Sequence, residues 1–352
     1  MVVERDEDLV APSPLETSRN PDFQGQLVRS IALAITGIYP AAWLTSRYFK
    51  ASDLITHFQE PFALVTFITL AFFLLGRRWK IAIVLSLLLG LQCFSITRYL
   101  GPNPVVAEPG SSESLRILFA NVYIDNQNYV ELIRLIDREH PDIIGLVEYT
   151  PAWRTALEVL NADYPYSAQA PSGHDAGGVS LWFRKPPVAL ETPKPLTPQG
   201  WPVAHGTFEF AGQARQIWVV HPFSPLGSVV GHDGTNELRA IGKRVKSAEG
   251  SRIVVGDMNT TDGSAHFREF LGKTGLRDSR QGFGRQRSWP VDSPYRIAID
   301  HLFLSDDLAV ISRRLGPSVH SDHFPLIVDL APASKTSRTS ASQDSKTAIM
   351  SP

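Results

Sequence analysis

Cysteine occurs once in the 352 residues, at Cys93, which excludes an intramolecular disulfide and any Cys-ligated metal centre. Charge of one sign is also missing. The formal net charge is -1, so neither a nucleic-acid coat nor an acidic tail is indicated. No internal repeat is present, which removes solenoid and propeller architectures.

Charge is scarcest in three successive stretches near the start. "IALAITGIYPAAWLTSRYF" begins at Ile31, "PFALVTFITLAFFLLG" at Pro61 and "IAIVLSLLLGLQCFSI" at Ile81. With flanks, each approaches the roughly 17–25 residues a helix needs to cross a bilayer. The sequence therefore predicts three transmembrane helices within residues 28–98, the first interrupted by Gly37 and Pro40. A cleaved signal peptide does not fit an acidic leader (1–27, read as disordered) followed by several apolar runs. The loop Arg77, Arg78, Trp79, Lys80 is the densest cationic cluster beside the spans and should be cytoplasmic. That places the N-terminus inside and the chain beyond residue 98 outside, with Arg47 and Lys50 as a weaker opposing signal. The Pro-, Gly- and Ser-rich stretch 99–114 reads as a linker, and 332–352 as a disordered Ser/Thr-rich tail.

Residues 115–331 remain as one domain, large enough for a single sizeable core. "LRILFANV", "PDIIGLVE", "GVSLWFR", "HGTFEFA", "RQIWVVH", "RIVVGDMN", "AIDHLFLS" and "PLIVDL" read as strands. "YVELIRLIDREH" reads as an amphipathic helix with Val130, Ile133 and Ile136 on one face. "TNELRAIGKRVKSAEG" reads as a helix capped by Thr235 and stopped by Gly250. Many strands with interspersed helices predict a four-layer α/β sandwich, two packed mixed sheets flanked by helices.

The polar residues sit where these apolar runs end. Asn121, Glu148 and His221 close three strands, Asp257 and Asn259 a fourth, while Asp300 with His301 and Asp322 with His323 flank two more. In "VVGDMNTTDG" an extended backbone would turn Asp257 and Asn259 to one face; an Asx-rich turn is the bland alternative. Six such endings, each bearing an oxygen or imidazole, favour one shared site over turn chemistry.

The ordered motifs "NV", "PDIIGLVE", "VVH", "GDMN", "IDHLFL" and "SDHFP" resemble the endonuclease/exonuclease/phosphatase superfamily, with its DNase I-like fold, over essentially all of residues 115–331. The preceding spans and "SWP" before "IDH" resemble its bacterial membrane-anchored branch, which includes glycopeptide-resistance-associated proteins. The resemblance implies Mg²⁺ or Mn²⁺ held by Glu148 with Asn121 beside it, and Asp322 either touching a second metal or orienting His323. It implies that Asp257 activates water, Asn259 holds phosphate or water, and His323, fixed by Asp300, contacts the phosphoryl oxygen. His221 stands where DNase-like members carry a general acid, but the carboxylate that pairs with it has no match; glycines of "HDAGGVSLWFRKP" stand near its place. His301 reads as packed structure.

Three functions compete. The first is a membrane-anchored, metal-dependent phosphohydrolase in the bacterial inner membrane, cleaving a phosphodiester or pyrophosphate, such as a lipid-linked phosphate, outside the cytoplasm. The second is an extracytoplasmic nuclease, disfavoured because residues 112–332 carry 22 Lys and Arg against 25 Asp and Glu. The third is a scaffold on a dead enzyme fold, disfavoured by the intact motifs. In "LRDSRQGFGRQRSWP", Arg285 and Arg287 are candidates to fork onto a second phosphate, with Trp289 beside a lipid or base; a solvated loop is the alternative.

Overall fold

The computed structural model describes residues 21–107, 113–224 and 234–334. The chain order is α1 (Pro21–Thr45), α2 (Lys50–Thr56), α3 (Gln59–Leu75), α4 (Trp79–Thr97), β1 (Leu115–Asn121), α5 (Tyr129–Glu139), β2 (Ile143–Val147), α6 (Pro151–Ala156), β3 (Tyr166–Ala170) and β4 (Val179–Phe183). It continues with β5 (Ala189–Pro195), β6 (Pro202–Phe210), β7 (Gln213–Val220), α7 (Gly234–Lys246), β8 (Ser251–Asp257), α8 (Ala265–Thr274), β9 (Arg277–Asp278), β10 (Asp300–Leu304), β11 (Leu308–Leu315) and β12 (Leu326–Pro332).

Two six-stranded sheets form, ordered β11-β12-β1-β2-β4-β3 and β5-β6-β7-β8-β10-β9. Each central strand is buried on both faces, which explains its near-continuous apolar run. In β1, Ile117 and Phe119 enter the core between the sheets, while Leu118 and Ala120 face the α5 side with Trp153. In β8, Ile253 and Val255 enter the same inter-sheet core, and Val254 faces α7 and α8. The four layers follow from this alternation.

Some local expectations change. The buried stripe of α5 is Leu132, Leu135, Ile136 and Glu139, whereas Val130 is 51% exposed. Residues spaced by three drift round a helix of 3.6 residues per turn, so Val130, Ile133 and Ile136 do not share a narrow face. Thr235 lies inside the first turn of α7 rather than capping it, and Gly250 sits beyond the helix end at φ 78°, leading into β8. The strands β3, β5 and β11 and the helices α6 and α8 lack strong periodicity and were not expected.

The strand directions explain the clustering of polar ends. β1 and β2 are parallel across α5, and β7 and β8 are parallel across α7. Parallel neighbours finish on the same edge, so Asn121, Glu148, His221 and Asp257 emerge together. β10 runs antiparallel to β8 with Asp300 opposite Asp257, and β12 runs antiparallel to β1 with Leu326 opposite Phe119. Their starting ends, and hence Asp300 and His323, arrive at that edge too.

The apolar N-terminal segment differs from three simple spans. Two helices are long and apolar enough to cross a membrane, within Gly25–Thr45 and Trp79–Leu100. A third would count only as the bent pair α2 and α3, which meet at 73°. Their outward faces are apolar and exposed: Leu64, Phe67 and Ile68 on α3, and Ile83, Leu87 and Leu91 on α4. Polar contacts face inward, as where Thr36 of α1 donates to Thr69 of α3 at 3.0 Å. α1 starts at Pro21, so part of the expected leader is helical; residues 1–20 lie outside the described residues. Within the expected linker, Val105 is buried and Ala107 bridges to Ala333, while 108–112 lie outside. Of the expected tail, Pro332 belongs to β12 and 335–352 lie outside.

The apolar N-terminal segment is docked on the globular domain through buried polar contacts. Asp53 of α2 accepts from Ser264 Oγ at 2.8 Å and from the Ala265 N–H at 3.2 Å, at the start of α8. The His57 Nδ1 meets Thr261 Oγ1 at 2.9 Å, and Gln59 donates to Asp262 at 3.2 Å. Gly263 lies so close to α2 that a Cβ there would stand 2.1 Å from the Thr56 carbonyl oxygen. Arg280, fully buried, pairs with Asp278 at 2.6 Å and donates to Tyr99 Oη at 2.7 Å.

Candidate active site

The converging strand ends build one polar cluster. Glu148 follows β2 in the left-handed region, φ 58°, a conformation with a cost for a non-glycine residue that often marks a functional position. Its Oε1 accepts from Asn121 Nδ2 at 2.8 Å and its Oε2 from the Ile124 N–H at 2.9 Å. Asn121 Nδ2 also donates to Asp257 Oδ2 at 3.1 Å, while its Oδ1 accepts from the Tyr123 N–H at 3.0 Å. Asn121 thus turns its amide nitrogen, not its oxygen, toward the carboxylates.

His323 Nδ1 meets Asp300 Oδ2 at 2.8 Å, and its Nε2 stands 3.6 Å from Asp257 Oδ2. Asp300, not Asp322, therefore orients this imidazole. The loop carrying His323 is pinned to β1, since Ser321 Oγ donates to the Asn121 carbonyl at 2.8 Å and accepts from the His323 N–H at 3.1 Å. Burial opposes charge on His323, but Asp300 and Asp257 outweigh it and push the imidazole up to about 10. Burial raises Asp257 to about 6 against the pull of His323. Burial also raises Glu148, opposed by the hydrogen bonds from Asn121 and Ile124.

His221 Nδ1 lies 3.1 Å from the Ala176 carbonyl oxygen, and its Nε2 is 3.6 Å from Asp257 Oδ2. A carbonyl only accepts, so Nδ1 carries the proton and Nε2 faces Asp257. Burial lowers the His221 pKa, partly offset by Asp257. In "HDAGGVS" the partner of His221 is thus a backbone carbonyl in place of a carboxylate. Two residues on, a Cβ on Gly178 would stand 1.8 Å from the Tyr149 carbonyl oxygen, so only glycine lets the loop pass this close to the end of β2.

Asp257 and Asn259 join an Asx turn to a shared site. The strand ends at Asp257, and Asn259 has φ 49°, with its N–H donating to Asp257 Oδ1 at 2.9 Å and its Nδ2 to the Pro222 carbonyl at 3.0 Å. Extended alternation is thus not what brings them together; the left-handed turn is. Both line a cavity of about 510 Å³ with Glu148, His221, Asp322 and His323. Trp289 lines it as well, donating from Nε1 to Asp322 Oδ2 at 2.9 Å.

Two expected substrate contacts lie elsewhere. Arg285 pairs with Asp262 at 2.9 Å and Glu60 at 3.1 Å, and Arg287 pairs with Glu60. Neither lines the cavity that holds Asp257 and His323. Glu60 of α3 draws the arginines onto the docking seam, a partner that sequence distance concealed. His301 is buried, its Nε2 2.9 Å from the Thr260 carbonyl oxygen and its ring against Phe303.

The opposite wall of the cavity was not anticipated. Leu54 and Ile55 of α2, His57 and Phe58 at the bend, and Phe62 of α3 line it. The sequence signal was the break between the first two apolar runs, residues 46–60, where Asp53, His57 and Gln59 stand among other polar residues such as Arg47, Lys50 and Glu60. Trp201, which packs on His221 with centroids 4.6 Å apart, was also missed.

The donor set suits a hard divalent cation. One ligand atom each from Asp257, Asp300 and His323 lies within 4.8 Å of the others. Asp300 Oδ1 and Asp322 Oδ1 are buried with no hydrogen-bond partner among the described residues, oxygens that a cation would satisfy.

The sequence profile of the endonuclease/exonuclease/phosphatase family matches residues 118–323, from within β1 to His323. The chain belongs to this family. Its members hydrolyse phosphoester bonds, and the chain is a hydrolase of that class. No curated protein matches the sequence significantly. Among solved structures, zebrafish (D. rerio) TDP2 complexed with a single-stranded DNA product is similar at 19% identity and TM-score 0.52, covering 62% of this chain and 99% of that one. A family protein from Leptotrichia buccalis is 20% identical with TM-score 0.51, covering 61% and 99%. One from Bacteroides vulgatus is 19% identical with TM-score 0.52, covering 62% and 99%. At these identities the likeness is one of fold. The family profile begins at residue 118, beyond the apolar N-terminal helices.

Proposed function

We propose that the chain is a membrane-anchored, divalent-metal-dependent phosphohydrolase that cleaves a phosphodiester or pyrophosphate bond of a lipid-linked substrate, on the outer side of a bacterial inner membrane. One observation carries this reading. The cavity lined by Asp257, His221 and His323 is lined as well by Leu54, Ile55, Phe58 and Phe62 of the apolar N-terminal segment. A hydrocarbon chain gains about 25 cal/mol for each Å² it buries on such a wall.

In this reading Glu148 and Asp322 would hold Mg²⁺ or Mn²⁺, with Asn121 bridging Glu148 to Asp257; the trio Asp257, Asp300 and His323 is tied together by the protonated imidazole and works on the water and the phosphate instead. A divalent ion held there would supply the positive charge that offsets the phosphoryl oxygens. Asp257, raised to about 6 by burial, orients the attacking water and takes its proton. Asn259 positions the phosphate from its left-handed turn. Protonated His323, fixed by Asp300, donates to the oxygen on which charge grows. His221, neutral with its proton on Nδ1, serves the leaving group from Nε2 only after Nε2 takes up a proton; Asp257, which receives one from the attacking water, stands 3.6 Å away and can pass it on.

The orientation is supported by the placement of loops. Residues 46–58 and 98–107 lie on the side of the globular domain, while Arg77, Arg78 and Lys80 are exposed beyond α3, roughly 25 Å along its axis. The net negative charge of residues 112–332 favours no nucleic-acid backbone.

The test uses full-length protein in micelles with Mg²⁺ and alkyl phosphodiesters of increasing chain length. Specificity should rise with chain length, and Phe58→Ser with Leu54→Ser should flatten the rise. Chain-length independence, or faster cleavage of single-stranded DNA than of any amphiphile, would overturn the lipid reading.

A further inference from the structure

A second cavity of about 310 Å³ adjoins the catalytic one, and Asn259 and Ser224 line both. It lies between the α1–α2 turn and the faces of α7 and α8. Arg47, Lys50 and Arg239 line it, from two elements brought together only by docking of the membrane segment. The one carboxylate among its described lining residues is Asp53, and both its oxygens are engaged by Ser264 Oγ at 2.8 and 2.9 Å. Arg239 reaches Glu269 only at 3.7 Å, and Glu269 is shared with Lys273.

An independent feature points to a ligand. Thr260 lines this cavity at 6% exposure, and its buried hydroxyl has no hydrogen-bond partner among the described residues. A buried hydroxyl left unmade costs stability, and positions that keep one commonly use it on something that binds. The cavity therefore offers cationic side chains next to Asn259, with an unpartnered hydroxyl buried just behind its wall.

We infer that this cavity is an anion subsite that receives a second phosphate, or an equivalent doubly charged group, on the polar side of the scissile bond. The inference deepens the proposed function and rests on it for the word substrate. It gives the substrate a direction: apolar chain toward Phe58 and Phe62, reacting phosphorus at Asp257, second anion toward Arg47, Lys50 and Arg239. Guanidinium groups suit a phosphate because they donate two parallel hydrogen bonds. The subsite takes over the task that the sequence assigned to Arg285 and Arg287.

Binding is tested apart from turnover. Inorganic pyrophosphate is titrated calorimetrically into the full chain in nanodiscs of neutral phosphatidylcholine. Saturable binding should weaken at least about tenfold in Arg47→Gln/Arg239→Gln, as expected for losing charge-assisted contacts. It should persist in Asp257→Asn. Thr260→Val, which keeps shape and strands no partner, should weaken binding without lowering thermal stability. Turnover is then compared for two synthetic diesters sharing a decyl chain, one with a hydroxyethyl head and one with a phosphoethyl head. The wild-type preference for the phosphoethyl head should collapse in the double variant through KM. Undiminished pyrophosphate binding in the double variant overturns the subsite even if neither diester is hydrolysed. So does loss of binding to anionic vesicles alone, which would make Arg47 and Lys50 mere membrane-surface contacts. Pyrophosphate binding that behaves as expected, with no hydrolysis of either diester, supports the subsite and counts against the catalytic reading instead.

Discussion

Asp300→Asn should discharge His323 at neutral pH. The imidazole rises from 6.5 to about 10 although burial opposes it, a difference of about 5 kcal/mol between its two protonation states. Asp300 at 2.8 Å contributes more than Asp257 at 3.6 Å. Losing the nearer carboxylate while burial remains should bring the midpoint below about 8. The assay is NMR of the labelled imidazole in metal-free, full-length protein. The wild-type signal should stay in its protonated position from pH 6 to 8, and the variant signal should titrate in that range. Linkage gives a second readout. His323 gains its partners on folding, so its stabilisation is complete below 6.5 and fades as pH rises toward about 10. Wild-type thermal stability should fall between pH 7 and 10, and the variant should lose less over that interval. A wild-type His323 that titrates below pH 7 would refute the ion-pair reasoning and remove the cation from the proposed mechanism.

The remaining expectations concern the metal, the water and the docking seam. Glu148→Gln should lower Mg²⁺ affinity and turnover together, whereas Asp257→Asn should abolish turnover with Mg²⁺ affinity nearly kept; calorimetry with either variant unaltered in both properties removes that residue from its role. Gly263→Val should separate the membrane segment from the globular domain because even a Cβ meets the Thr56 carbonyl at 2.1 Å; faster proteolysis between residues 98 and 115 reports it, and an unchanged digest counts against the seam. Arg280→Met should destabilise by about 3–5 kcal/mol, because it leaves the buried Asp278 carboxylate without its 2.6 Å partner; a shift in thermal midpoint of under a degree would show that the pair contributes little. An outside-active reporter fused at the C-terminus should work and one fused after Lys80 should not; the reverse would place catalysis in the cytoplasm.

The sequence by itself determined the strands of the two sheet centres and the cluster of polar ends. Apolar β-branched runs that stop at Asn121, Glu148, His221 and Asp257 are local, because a buried strand must release its polar residues where it leaves the core. The apolar helices near the start were legible for the same reason, since their exposed faces carry Leu, Phe and Ile rather than charge. Tertiary structure decided the partners. Arg285 and Arg287 read as free cations until α3 supplied Glu60, more than two hundred residues earlier. The orientation of His221 came from a backbone carbonyl, which no side-chain motif records. Asp257 and Asn259 met through a left-handed turn instead of strand alternation. The apolar wall of the cavity arose only because α2 and the α2–α3 bend dock against α8 and the Thr261–Ser264 loop. Periodicity reports what one segment buries, but what it is buried against depends on contacts far apart in the chain.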